Sequence, residues 1–322
     1  MQLHLTQLPE LSPNCQAFPL VRQFLNRSVY LGINVLKDND ITVLDCGVHV
    51  SGSWEAGRLY ASICLGGLAE VELHWSGYKD FSWPAVEVRT DHPLRACLAS
   101  QYAGWPIKTG QKLAMGSGPG RAIVHRGEIF EKLGYKDNSK TAIICLESET
   151  LPTAETLRQI SDLCQCDPQN LYILVAPTAS LVGSVQVSAR ALETGLSKLM
   201  LLGYDLGNII SGWSTCPLAP IGNNTLQALG RTNDAILYGA SVYYSLRDDD
   251  KALELLVKQV PSSFSRDYGQ PFEKLCQGYE NFYDLDPLTY SPAEVWLNNL
   301  NTGNTFHAGA VNTDILRRSF GL

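Results

Sequence analysis

The stretch Leu171–Met200, LYILVAPTASLVGSVQVSARALETGLSKLM, constrains the fold of this 322-residue chain more than any other. Leu171–Ala176 is a short β-prone run, and Pro177, Thr178 and Ser180 supply turn and N-cap chemistry. From Leu181 onward, Leu181, Val185, Ala189, Leu192, Leu196 and Leu199 recur at helical spacing and fall in one stripe roughly 80° wide. The pattern predicts a strand, a loop and one continuous helix, with Gln186, Arg190, Glu193 and Ser197 on a neighbouring stripe. Arg190 and Glu193 are three apart, so their side chains can touch. By default such a pair is solvated and contributes only ~0.2–0.5 kcal/mol. Its surroundings decide whether it does more.

Elsewhere, strand-like runs at Ile41–Asp45, Val86–Thr90 and Ala142–Leu146 alternate with helix-like runs. Leu151–Cys164 reads as a helix after Pro152, and Asp249–Val260 as another, ended by Pro261. Glu294–Asn299 and Thr305–Ala310 flank the turn residues Asn301–Asn304 and predict a β-hairpin. This alternation indicates an α/β (α+β) architecture. Tyr268–Pro292, rich in turn residues and aromatics, reads as an ordered excursion between elements.

A net charge of −7 leaves no basic excess to neutralise phosphates, which argues against nucleic acid as a partner. Uninterrupted apolar runs reach about six residues, against the ~20 that span a bilayer, so no membrane role is expected. The start, MQLHLTQLPELSPNC, shows no secretory pattern. Nine cysteines, several in apolar settings, read as thiols of a reducing compartment. Cys164 and Cys166 lack the partners of a metal site, and His49, His74, His92, His125 and His307 lack ligand spacing; no metal is expected.

Two glycine-rich segments resemble phosphate loops and fail as such. Gly52–Leu59 carries Arg58 and Leu59 where the Walker motif needs Lys and Ser/Thr, and Gly116–Gly120 is followed by Arg121 where a dinucleotide fingerprint needs glycine. Glycine still allows backbone N–H groups to face an anion. Gly52, Ser53, Gly116, Ser117, Gly118 and Arg121 are therefore candidate ligand contacts, with ordinary turn geometry as the competing reading.

Four blocks taken together carry a resemblance. DCGVHVSGSWEAGRLYASICLGGLAEV at Asp45–Val71, MGSGPGRA at Met115–Ala122, TASLVGSVQVSARALETG at Thr178–Gly195 and LGRTNDAILYG at Leu229–Gly239 resemble, in order, the methenyltetrahydromethanopterin cyclohydrolase family. The resemblance runs from about residue 10 to the carboxy-terminal RRSFG. It implies two α/β lobes with a substrate pocket between them, a homotrimer, a cytoplasmic enzyme of one-carbon metabolism, and no metal or organic cofactor. The lobes are assigned to residues 1–90 plus 235–322 and to residues 91–234; periodicity does not fix these boundaries.

The implied reaction hydrolyses the 5,10-methenyl bridge of tetrahydromethanopterin to the 5-formyl derivative. By resemblance Glu193 is the base for water, Arg190 positions it, and Glu147 binds the pterin. Asp234 and Tyr238 are further pocket candidates, whereas Asp45 reads as structural. Archaeal members carry Lys where this chain has Tyr102, so no cationic contact to substrate is expected there. The alternative is a catalytically silent pterin-binding protein, against which retention of both Arg190 and Glu193 argues.

Overall fold

The computed structural model describes residues 11–277 and 285–322. The first ten residues, read above for a leader, and residues 278–284 of the turn-rich excursion lie outside the described residues. The strands are β1 Asn34–Asp38, β2 Ile41–Asp45, β3 Glu70–Tyr78, β4 Phe81–Thr90, β5 Trp105–Thr109, β6 Lys112–Ser117, β7 Ala142–Glu147, β8 Leu171–Ala176, β9 Ile209–Pro217, β10 Ser241–Leu246, β11 Glu294–Asn299 and β12 Thr305–Gly309. They form two six-stranded mixed sheets, ordered β1-β2-β8-β7-β6-β5 and β12-β11-β10-β9-β4-β3. Each sheet belongs to its own compact unit. The first unit is the chain up to Glu70 with Leu94–Gln186; the second is Val71–Pro93 with Val187–Leu322.

In the first unit β2, β8 and β7 are parallel, and the outer strands run antiparallel to their neighbours. A strand with helices on both faces needs apolar residues at every position rather than alternate ones. β8 meets that requirement. Leu171, Ile173 and Val175 pack with Leu157 and Ile160 of the helix Ala154–Cys164, whereas Leu174 and Ala176 pack with Phe24, Leu59 and Ile63 on the opposite face. The Tyr60 hydroxyl, fully buried on the helix Trp54–Cys64, donates to the Leu146 and Leu174 carbonyls and ties that helix to the sheet.

In the second unit β10 and β11 alternate buried and open residues, so one sheet face is core and the other is not. The helix Ala191–Leu201 packs on β9 and β10. The Tyr244 hydroxyl donates to the Leu192 carbonyl at 2.7 Å, and Gly195 permits the approach: a Cβ there would lie 2.2 Å from that hydroxyl. The nine cysteines are free thiols, six of them buried.

The strands expected at Ile41–Asp45 and Leu171–Ala176 are β2 and β8, and the expected hairpin is β11–β12. Two expectations differ from the structure. The single helix from Leu181 is two, Leu181–Ser188 and Ala191–Leu201, with a break at Ala189–Arg190 where the Arg190 N–H donates to Val187 rather than to the residue before it. These helices are buried around most of their circumference, so an apolar period does not reveal where one stops. The division also falls elsewhere than at residues 90 and 235: β4 pairs with β9, and β2 with β8, so early and late segments share each sheet. Such long-range pairing leaves no compositional boundary.

Gly195→Ala tests the seat of the second helix. Overpacking against Tyr244 is expected to destabilise the protein by about 1–3 kcal/mol, read as a lowered urea midpoint.

Candidate active site

The parallel strands of the first sheet end at three loops, the usual place for ligands in open α/β sheets. After β2, Asp45 is fully buried and its carboxylate accepts the N–H groups of Gly47 (3.0 Å), Val48 (2.7 Å) and His49 (3.0 Å). It shapes that loop, as the structural reading anticipated. At the end of β7, Glu147 is half-buried. The Thr178 hydroxyl donates to its Oε1, and the Gln186 amide approaches its Oε2 at 3.4 Å.

Thr178 sits in the loop after β8, where Ser180 donates to the Pro177 carbonyl (2.7 Å) and accepts from Gly183 N–H (3.0 Å). Gly183 is obligatory, because a Cβ would lie 1.9 Å from the Pro177 oxygen. Thr178 and Gln186 thus orient a carboxylate that the sequence nominated alone. Both were visible, one as a turn residue and one on the Arg190 stripe, but no local pattern marks them as partners of Glu147.

Gln186 ends the first unit and Val187 begins the second. In the second unit Arg190 precedes the helix Ala191–Leu201 and Glu193 lies in its first turn, each only 7 % exposed. Arg190 Nη1 stands 3.9 Å from Glu193 Oε2, and the Ser197 hydroxyl donates to Glu193 Oε1 at 2.8 Å. The helix N-terminus and the guanidinium both complement a carboxylate's charge. A solvated surface pair is excluded by this burial. The i,i+4 contact to Ser197 follows from the expected stripe; Arg190, outside the helix, reaches Glu193 across the break instead.

Burial reveals a residue the sequence did not single out. Lys198 is 1 % exposed and donates from Nζ to the Leu288 carbonyl at 2.5 Å, tying the same helix to Pro287–Thr289. Burial pushes its ammonium below the usual lysine range, and Asp286 opposes that.

The glycine loops make the hydrogen bonds of ordinary turns. Gly52, at φ +65°, donates to the Gly32 carbonyl, and Ser53 caps the helix Trp54–Cys64 while donating to Leu31. Arg58 grips Glu55 through two 2.8 Å contacts. Gly116 packs on Ile107 and Trp105, Ser117 donates to the Cys145 carbonyl, and Gly118 N–H donates to Ser100. The Gly52 and Gly118 N–H groups that would face an anion are thus committed within the fold. Arg121 is buried between the Tyr102 and Phe130 rings and donates to the Tyr102 carbonyl. Tyr102 therefore serves Arg121.

Asp234 and Tyr238 are fully buried in the helix Thr225–Gly239. Asp234 accepts from Phe272 N–H at 2.8 Å, and Tyr238 donates to the Gln270 carbonyl at 2.7 Å, so together they hold residues 270–272. Burial pushes the Asp234 carboxyl up to about 7; Ser319 and the Phe272 amide pull it down, and Glu273 adds to the rise.

A family model described as Cyclohydrolase (MCH) matches residues 12–320. Proteins named methenyltetrahydromethanopterin cyclohydrolase from Methanocaldococcus jannaschii and Methanothermobacter marburgensis are each 40 % identical over 318 residues, 97 % of this chain and 98 % and 99 % of those relatives. One of the same name from Methanococcoides burtonii is 42 % identical over 289 residues, 88 % of this chain and 90 % of its own. The chain belongs to this cyclohydrolase family.

Asp234 predicts a pH dependence of stability. Its folded pKa lies above the unfolded value of 3.8, so folding favours the protonated acid. Stability falls as pH rises from about 4 to about 7 and is level beyond, the loss being on the order of 4 kcal/mol at most. Asp234→Asn should flatten that slope in urea titrations between pH 5 and pH 8.

Proposed function

We propose that this chain hydrolyses the methenyl bridge of 5,10-methenyltetrahydromethanopterin to the 5-formyl derivative, reversibly. The observation that carries the reading is a carboxylate buried beside a guanidinium at the start of a helix, on a family member matched over residues 12–320. Relatives named for this activity support the substrate.

The bridge is an amidinium-like cation whose carbon accepts water. Glu193 takes a proton from the water as its oxygen bonds that carbon, and the C=N⁺ electron pair returns to nitrogen, leaving a neutral carbinolamine. The bond to N10 then breaks: N10 gains a proton, the hydroxyl loses one, and the formyl group remains on N5. One proton is released overall. The anionic carboxylate complements the cationic bridge, while Arg190 holds the carboxylate and water in register and faces the oxygen as charge develops on it.

Thr178 and Gln186 hold Glu147 oriented to accept N–H donors from the pterin edge. The step is a hydration and elimination without electron transfer, so it calls for no redox cofactor, and the reading assigns water activation to Glu193 rather than to a metal. We place the enzyme, as a homotrimer, in the cytoplasm, where its nine free thiols suit a reducing medium.

Glu193→Gln is expected to abolish turnover while pterin binding survives; a normal hydrolysis rate in that variant would remove Glu193 from the chemistry. Arg190→Ala should lower kcat/KM more than tenfold, at least ~1.4 kcal/mol of barrier. Loss of methenyl absorbance, followed with the methanopterin and folate substrates in turn, reads both variants and the substrate class. Bleaching of neither by the wild type would instead indicate a silent pterin binder.

A further inference from the structure

Cys164 and Cys166 form a C-x-C pair in which one thiol is buried and the other half-buried. Cys164 closes the helix Ala154–Cys164, is 2 % exposed and packs with Leu157, Ile160 and Leu171. Gln165 follows at φ 50° and ψ 38°, a left-handed turn made without glycine. A residue bent that tightly leaves the Cα atoms on its two sides about 5.4 Å apart, from the rise and radius of a helical backbone. An extended middle residue would set them about 7 Å apart, beyond the roughly 4.4–6.8 Å that a disulfide spans. The turn is held in place. The Gln165 N–H donates to the Asp162 carbonyl and the Ser161 hydroxyl to the Cys166 carbonyl, each at 3.3 Å. The two thiols meet in a hydrogen bond.

That contact separates their roles. The Cys164 thiol, donating to Cys166, holds the Cys166 thiol below its usual range. Burial and Asp167 oppose this, while backbone hydrogen bonds from Cys166 itself and Ala142 support it. The same contact, with burial, pushes Cys164 up. A half-buried sulfur with thiolate character is the one that attacks an oxidant, and a thiol beside it resolves the product. The other thiols lack this arrangement. Cys46 and Cys216 are buried and pushed up, Cys276 is pushed up by burial, and exposed Cys15 donates to the Ser139 hydroxyl. Among the described residues, no group of three or more His, Cys, Asp or Glu gathers to hold a metal.

We propose that Cys164 and Cys166 are a reversible oxidation site, which a peroxide closes into a disulfide within the chain. The Cys166 thiolate attacks one peroxide oxygen, the O–O bond breaks, and the leaving hydroxide takes up a proton as water. The sulfenic acid left on Cys166 is then attacked by Cys164 sulfur. The S–O bond breaks, and the Cys164 proton leaves with the hydroxide as a second water. Two thiols and one peroxide thus give one disulfide and two waters, with two electrons passing from sulfur to oxygen. In a reducing medium the pair rests as the dithiol, and exchange with a free thiol restores it. The pair leads into the start of β8, whereas Thr178 lies past its end, and six residues of strand span about 17 Å. Closure therefore leaves the partners of Glu147 in place.

Timed treatment of the native full chain with hydrogen peroxide tests the proposal, followed by alkylation with iodoacetamide in urea, trypsin digestion and mass spectrometry. Cys164 and Cys166 fall together, without a third cysteine, in the peptide Gln159–Arg190. That peptide should appear unalkylated and two hydrogens lighter before Cys15 or Cys276 is oxidised, and dithiothreitol should restore alkylation at both sulfurs. Earlier oxidation of Cys15 or Cys276, or no closure at all, would overturn the proposal. So would a sulfinic acid at Cys166 with Cys164 still open to alkylation. In Cys164→Ser, Cys166 should instead stop at the sulfenic acid and be captured by dimedone; a folded variant without that adduct contradicts the assigned roles. Should the variant fail to fold, the time course of the wild type decides alone. None of these readouts uses pterin turnover.

Discussion

Two opposite charges taken out of water at a break between helices, Arg190 and Glu193, set the terms for the second unit. Removing each from water costs several kcal/mol, which attraction alone rarely returns, so such a pair needs further polar support. At 3.9 Å the contact is a charge interaction rather than a hydrogen bond. The Ser197 hydroxyl and the helix N-terminus supply part of what is missing. The neighbouring packing then fixes the helix itself: Leu192 is held by Tyr244, Gly195 clears that hydroxyl, and Lys198 reaches Leu288. A continuous helix would have placed Glu193 mid-helix, without the first-turn N–H groups. The break is what makes the position hospitable to an anion.

The first unit solves the same problem at the ends of its parallel strands. Asp45 is buried and satisfied by three backbone N–H groups, which makes it a loop-former. Glu147 is half-buried and met by two side chains, which leaves acceptor capacity beyond them. Two carboxylates on strands of one sheet thus take different roles because their surroundings differ.

Much of this was legible in the sequence. β2 and β8 could be bounded to the residue, because fully buried strands show as short apolar runs set off by turn residues. Glu193, Arg190 and Glu147 were nominated by a resemblance, and burial then distinguished the first two from a surface pair. The helix break was hidden because Leu181–Leu199 keeps its apolar period straight through it. The sheet memberships were hidden because β4 and β9 meet across the chain. Gly52 and Gly118 adopt positive φ, as loops that cradle anions do, and their N–H groups go to Gly32 and Ser100. Glycine content shows that a backbone turns; hydrogen-bond partners show what the turn serves.

The most direct measurement is a crystal structure of the Glu193→Gln protein soaked with methenyltetrahydromethanopterin. The account predicts the methenyl carbon facing the residue 193 amide, with one ordered water between them and the Arg190 guanidinium within reach of that water. A pterin bound with its one-carbon bridge turned away from residue 193, or with another acid nearer to the water, would contradict it.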